Sequence, residues 1–373
     1  MARNLVIFFS FILALGNLVD LFGAGILEIL AIIVGFLIII ERKNQKNILK
    51  YGKQAFPLFI ILVILFFANV FYGYTGIDDQ FLNLKFLLAI VIYILLSAFF
   101  ENDKKGMLLS LLLFSIGTAI LSILYFFDLL QGGLELRKDR LIFLGENPNS
   151  LSIRISLGVF LLIWMSLKNI FNSIFKRILL LIPVPFMIAL IVASGSKGSF
   201  VLCILSVLML IFISKNISKK YKYIFISFLF IFLVFSLDFL LKSNLYERFA
   251  ESELTTGRLD IWKEAMDIFY SNPFGVGENG YKQEIKFRIG ESLDTHNVFI
   301  YLLVTGGLIS LVLFIYFYLK ILQKSIISYK ISREPVFIII WISMFIIMSK
   351  TGGVLTYLIM WYFLAVINSY KVS

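Results

Sequence analysis

His296 is the only histidine in the chain, so within one subunit there is no histidine cluster for a metal and no histidine pair. It lies in Leu293-Asp294-Thr295-His296-Asn297, where Asp294 or Thr295 can cap a following helix and the imidazole faces water at that helix's amino terminus. The dipole there lowers the pKa and favours the neutral ring, which can take a proton from a hydroxyl. The plainer reading is an interfacial histidine that only caps or hydrogen-bonds.

Three cations have positions that suit anion binding. Arg258 starts a segment of helical spacing, where a guanidinium and free backbone N–H groups can together hold a phosphate or diphosphate; alone, it would be a solvated loop arginine. Lys197 lies in Ser194-Gly195-Ser196-Lys197-Gly198-Ser199, a short turn between two apolar runs that can grip an anion or simply close a polar hairpin. This turn has no preceding strand and is not a Walker sequence, which argues against a nucleotide site. Arg154 stands a few residues into an apolar run after Glu146-Asn147-Pro148-Asn149. At that depth a guanidinium snorkels, or needs a wet cavity or a partner such as Glu28.

No metal-ligand spacing accompanies these groups. Asp78-Asp79 is an isolated pair, and the one cysteine, Cys203, sits inside an apolar run, so neither a disulfide nor a cysteine-based metal site can form within the chain. The expected chemistry uses no metal and no cofactor, and a sugar donor would come from the membrane itself.

The elements that must position these residues follow from composition. Apolar residues make up 60% of the chain and charged residues 15%, in recurring runs of about 17 to 20 residues, each long enough to cross a hydrocarbon core. Such runs close their hydrogen bonds internally, and without alternating strand patterns they predict an all-α polytopic fold, a single membrane domain over 1–373. About twelve spans are expected, near 4–20, 24–40, 55–74, 81–100, 106–129, 150–167, 178–194, 199–214, 223–241, 296–319, 335–349 and 354–370. With the amino terminus inside, most lysines and arginines fall in cytoplasmic loops, which accounts for the net charge of +11 without nucleic acid.

One connection is long. Residues 242–295, between spans 9 and 10, are placed outside, and long loops often carry function. Leu259, Ile261, Trp262, Ala265, Met266, Ile268 and Phe269 recur there at helical spacing after Thr255 and Thr256, predicting an amphipathic surface helix over about 257–271. It stops at Ser271-Asn272-Pro273, and an irregular glycine-rich turn is expected at 274–280.

Taken in order, Ser194-Gly195-Ser196-Lys197-Gly198, Gly257-Arg258-Leu259-Asp260-Ile261-Trp262, Asn272-Pro273-Phe274-Gly275-Val276-Gly277, Thr295-His296-Asn297 and Leu303-Val304-Thr305-Gly306-Gly307-Leu308 resemble the O-antigen ligase and O-antigen polymerase family of bacterial surface-polysaccharide enzymes. The motif likeness covers roughly 190–310. It implies a type C glycosyltransferase fold in the bacterial cytoplasmic (inner) membrane. It also implies metal-independent transfer of a glycan from an undecaprenyl-pyrophosphate carrier to an acceptor hydroxyl on the extracytoplasmic face.

By the same resemblance, His296 and Arg258 are the expected catalytic residues, and Lys197, Arg258 and Arg154 the expected pyrophosphate-binding residues. Many members have arginine where this chain has Lys197, which keeps the charge and loses the bidentate fork. The expected partners are the lipid-linked donor, a glycan acceptor, the bilayer and a chain-length regulator. The resulting expectation is an inverting O-antigen or capsular polysaccharide polymerase. A ligase acting on lipid A core is the alternative, and a polysaccharide transporter or flippase is the rival from another class. Transporters of that kind place polar sites near the midplane, often between repeated halves, whereas here the notable polar residues gather towards one face.

Overall fold

The computed structural model describes residues 1–22, 25–72, 77–129, 134–137, 140–143, 146–168, 173–215, 257–351 and 353–370, with isolated positions between 217 and 246. Most of the expected ninth span, and the start of the long loop with Thr255 and Thr256, lie outside these residues.

The apolar runs form helices: α1 (Ala2–Leu15), α2 (Ile26–Ile40), α3 (Arg42–Phe71), α4 (Ile77–Asn102), α5 (Lys104–Phe126), α6 (Pro148–Leu167), α7 (Ile174–Leu179), α8 (Val184–Ala193) and α9 (Lys197–Ile213). After the partly described stretch come α10 (Arg258–Ser271), α11 (Gly277–Ile289), α12 (Val298–Ser332), α13 (Val336–Lys350) and α14 (Leu358–Ser369). Among the described residues seven helical stretches are long and apolar enough to cross a membrane, and α2, α9, α13 and α14 are shorter apolar helices. Together they fall on the runs read from the sequence other than 223–241.

Two helices form the centre. Every residue of α6 from Leu151 to Ser166 is buried, and Gly158 lets α5 approach so closely that a Cβ there would stand 2.1 Å from Thr118 Oγ1, the use of small residues expected where helices pack in a membrane. In α14, Met360 to Asn368 are all buried. Trp361 sits among Phe86, Tyr93 and Phe317 with ring centroids 5.8, 5.8 and 6.1 Å away. At the periphery, α2 and α3 turn Ile29, Ile32, Phe36, Phe56 and Phe67 outward, an apolar exposure that suits hydrocarbon rather than water.

The two ends of the bundle differ. At one end Arg3 meets Asp103, Lys50 meets Glu101 at 2.9 Å and Lys168 meets Glu334 at 2.8 Å, and Lys324 donates to the carbonyl of Asn368 at 3.1 Å. The lysines and arginines that open α3 and α5 belong to this basic end. The other end carries the start of α6, the α8–α9 turn, the start of α12 and the α13–α14 connection, joined by contacts described below.

The segment before α6 contains an antiparallel β-hairpin, β1 (Leu134–Arg137) and β2 (Arg140–Phe143), with Leu134 opposite Phe143 and Arg137 opposite Arg140. It is a small exception to the helices that dominate the described residues. The amphipathic helix predicted at about 257–271 is α10, but its apolar face is covered by protein: Ala265 and Ile268 pack with Val276 of the following turn, Tyr281 and Ile285 of α11 and Val304 of α12. The sequence reading leaves α11 out, because Gly277-Glu278-Asn279-Gly280 looks like a turn. The fold makes it the first turn of a helix anchored by Tyr281 and Ile285.

Candidate active site

The long helix α12 is broken near its start. Gly307 has φ 70° and ψ −177°, and the turn after α10 enters the gap. There the Val276 N–H donates to the Val304 carbonyl at 3.0 Å, and the Leu308 N–H donates to the Pro273 carbonyl at 3.3 Å. The break therefore frees backbone groups and the inserted turn satisfies them, as an interrupted membrane helix requires. Gly275, at φ 88°, lies against the same break. A Cβ on it would stand 2.5 Å from the Thr305 carbonyl oxygen, and one on Gly307 would stand 2.5 Å from the Phe274 carbonyl carbon. Two of the sequence motifs thus interlock through backbone.

A second tie closes the other end of α10. The Trp262 indole N–H donates to the Thr295 carbonyl at 2.8 Å. Trp262 stands one helical turn after Arg258, on the same face, so this bond brings Arg258 up to the residue preceding His296. The Arg258 guanidinium is close enough to act electrostatically on the imidazole. The structure thus brings together two residues far apart in the chain that the sequence singled out.

His296 is half-buried and lies in the left-handed region at φ 50°, a conformation that costs a non-glycine residue roughly 1–2 kcal/mol. It is held there because its N–H donates to Asp294 Oδ1 at 2.6 Å, while the Thr295 hydroxyl donates to the Asn297 carbonyl at 2.9 Å. The helix cap is Asn297, whose Oδ1 accepts from Phe299 N–H at 2.9 Å and Ile300 N–H at 3.3 Å, rather than Asp294 or Thr295. Burial pushes the His296 pKa below the ordinary histidine value. The Asp294 carboxylate opposes that shift, and the Arg258 charge adds to it. The neutral ring expected from the sequence is favoured, with burial and Arg258 as the causes.

Around this pair, Tyr281 donates to the Leu293 carbonyl at 3.0 Å and is itself held protonated by burial and by Asp294. Glu278 is buried and paired with Lys282 at 2.7 Å. Tyr357, just before α14, lies beside Ser150 and within the fields of both Glu146 and Asp294.

Lys197 opens α9 beside the start of α6. Ser196 Oγ donates to Asn149 Oδ1 at 2.9 Å, Ser152 Oγ donates to Ser199 Oγ at 2.7 Å, and Ser156 Oγ donates to the Ser199 carbonyl at 3.1 Å. The predicted hairpin is thus stitched to α6 by buried hydroxyls. Arg154 lies deeper, only 2% exposed, and its Nη2 pairs with Glu146 Oε2 at 2.5 Å. Its partner is therefore Glu146 and not the suspected Glu28. Its guanidinium also fills the space beside Gly16, whose Cβ, if present, would stand 1.7 Å from Nη1. Arg258 thus stands within electrostatic range of His296, Lys197 stands on the hairpin stitched to α6, and Arg154 lies in a buried ion pair with Glu146.

The sequence reading missed the tether residue Trp262, which it counted among the apolar positions, and Tyr357; the signal for Trp262 was an indole one turn beyond an arginine on an amphipathic helix. The curated proteins include no match to this chain. Residues 182–315, which hold Lys197, Arg258, His296 and the five segments that carry the family resemblance, match the model of the O-antigen ligase family. This match supports the O-antigen ligase and polymerase family for the chain.

Proposed function

We propose that this protein is a membrane glycosyltransferase that polymerises surface polysaccharide, moving a glycan from a polyprenyl-diphosphate carrier to a hydroxyl of another lipid-linked repeat. The observation that carries the reading is an imidazole with a depressed pKa in the field of the Arg258 guanidinium, with Trp262 of the same helix bonded to the residue before it, all within the residues that match the O-antigen ligase family. His296 takes the proton of the acceptor hydroxyl, whose oxygen forms a bond to the anomeric carbon. The bond from that carbon to the diphosphate oxygen breaks, and the lipid diphosphate leaves with the electron pair. One such displacement inverts the anomeric centre. Arg258 and Lys197 neutralise the charge that grows on the leaving group; Arg154, braced by Glu146, shapes the floor beneath the carrier.

The test is transfer from a defined polyprenyl-diphosphate oligosaccharide by purified protein. Replacing His296 by alanine should cut the rate by about 10² to 10⁴-fold, the usual contribution of a positioned base, with membrane insertion unchanged; transfer at the wild-type rate would remove His296 from the chemistry. The ligase reading is favoured by the description of the matching family. Surface glycans from a deletion strain separate the two. Single-repeat products mark a lost polymerase, and long chains left on the carrier mark a lost ligase.

A further inference from the structure

The first three turns of α3 sort their polar groups by face. A helix advances about 100° per residue, so Lys43, Asn47 and Lys50 share one flank, and each has a partner. Lys43 pairs with Glu41 at 3.1 Å, Asn47 Nδ2 donates to Asn102 Oδ1 at 2.9 Å, and Lys50 pairs with Glu101 at 2.9 Å. Arg42, Lys46 and Lys53 fall on a different stripe, and all three are exposed. Among the described residues none of them has a carboxylate within ion-pair distance.

Leu49 belongs to this second stripe and is 71% exposed. Followed along the helix at spacings of three and four residues, the stripe runs on through Phe56, Val63 and Phe67, which point outward and suit hydrocarbon. Ile39 and Ile40, at the end of α2 just before Arg42, are exposed as well. Unpaired cations set among exposed apolar side chains, on the face that continues into the lipid-facing surface, match the layer where phosphate headgroups meet acyl chains. An acidic soluble partner would leave Leu49, Ile39 and Ile40 without a counterpart. Side chains on a helix tilt towards its amino terminus, here away from the hydrocarbon, so the stem of Lys53 can lie along apolar surface while its ammonium reaches the headgroups. Arg42 adds a planar fork that suits phosphate.

We propose that the stripe from Arg42 to Lys53 binds the headgroups of anionic phospholipids in the leaflet at the basic end of the bundle. This goes beyond the glycosyl-transfer reading and does not depend on it. The attraction of a cationic segment to an anionic leaflet grows with each lysine or arginine held near the surface, so the three cations act together, while the apolar members of the stripe keep them at the right depth.

Lipid binding to the purified full-length protein in detergent tests this, with phosphatidylglycerol and phosphatidylcholine of the same acyl chains as the probes, read by native mass spectrometry and by the thermal midpoint. Wild-type protein should retain phosphatidylglycerol in preference and melt higher in its presence. The triple variant Arg42→Gln, Lys46→Gln, Lys53→Gln should bind phosphatidylglycerol about tenfold or more weakly, with phosphatidylcholine unchanged, and Lys46→Gln alone should lose a smaller part. Lys46→Arg with Lys53→Arg should stay near wild type. Removing the same charge from other elements, by Lys105→Gln, Lys176→Gln and Lys330→Gln, should have little effect. Equal retention of the two lipids by wild type, wild-type retention of phosphatidylglycerol by the stripe variant, or an equal loss in the second triple variant overturns the proposal. Displacement of phosphatidylglycerol from wild type by soluble poly-glutamate, or the same midpoint rise with glycerophosphate lacking acyl chains, also overturns it, by assigning the stripe to an acidic protein or a free anion.

Discussion

At the scale of single residues, the proposed transfer depends on keeping one imidazole neutral and in reach of a hydroxyl. His296 lies ahead of the Asn297 cap, in a left-handed backbone held by Asp294 and Thr295. Burial and Arg258 depress its pKa while Asp294 raises it. Transfer should therefore fall only as the pH drops through a value below the ordinary histidine range, where the ring gains its proton. Because the chain has one histidine, the imidazole of untagged protein gives a single NMR titration. Arg258→Gln should move that titration to higher pH, since a neighbouring positive charge is lost, and Asp294→Asn should move it lower. Shifts of the opposite sign would show that these two charges do not govern the ring.

At the scale of elements, the interlock between the α10–α11 turn and the break in α12 fixes where Arg258 stands relative to His296. The Pro273–Val276 backbone satisfies groups that Gly307 frees, and Gly275 admits no Cβ because its φ is positive and the Thr305 carbonyl is in the way. Gly275→Ala should cost about 1–3 kcal/mol, the usual range for overpacking a tight contact, measured as a lower thermal midpoint in detergent with weaker transfer. Gly307→Ala should act on the same contact, so the double variant should lose less than the two losses combined. A Gly275→Ala protein with unchanged midpoint and rate would show that the interlock does not position the site.

Across the whole molecule, two ends of opposite character define an orientation. In the proposed orientation the basic end, with the lysines that open α3 and α5, lies on the cytoplasmic side that the positive-inside rule favours, and His296 and Arg258 lie on the outer side. In a Cys203→Ser background, Gln283→Cys on α11 should react with a membrane-impermeant maleimide in intact inner-membrane spheroplasts. Lys46→Cys on α3 should react only after lysis. Labelling of both from one side would refute this orientation and with it a donor presented at the outer face.

Much of this was legible in the chain because a bilayer imposes a strict code. Apolar length predicts where spans lie, and helical spacing from Leu259 to Phe269 predicts α10. The lone histidine and the order of short motifs pointed to the candidate site residues. What spacing cannot encode is contact between distant segments. The insertion of Pro273–Val276 into the α12 break, the Trp262–Thr295 tether, the choice of Glu146 over Glu28 for Arg154, and the rescue of polar α11 by Tyr281 and Ile285 all arise from packing. Local sequence determines which groups need partners, since buried backbone and charge must be satisfied. Only the tertiary fold decides which partners they get, because that depends on which helix ends arrive at the same place.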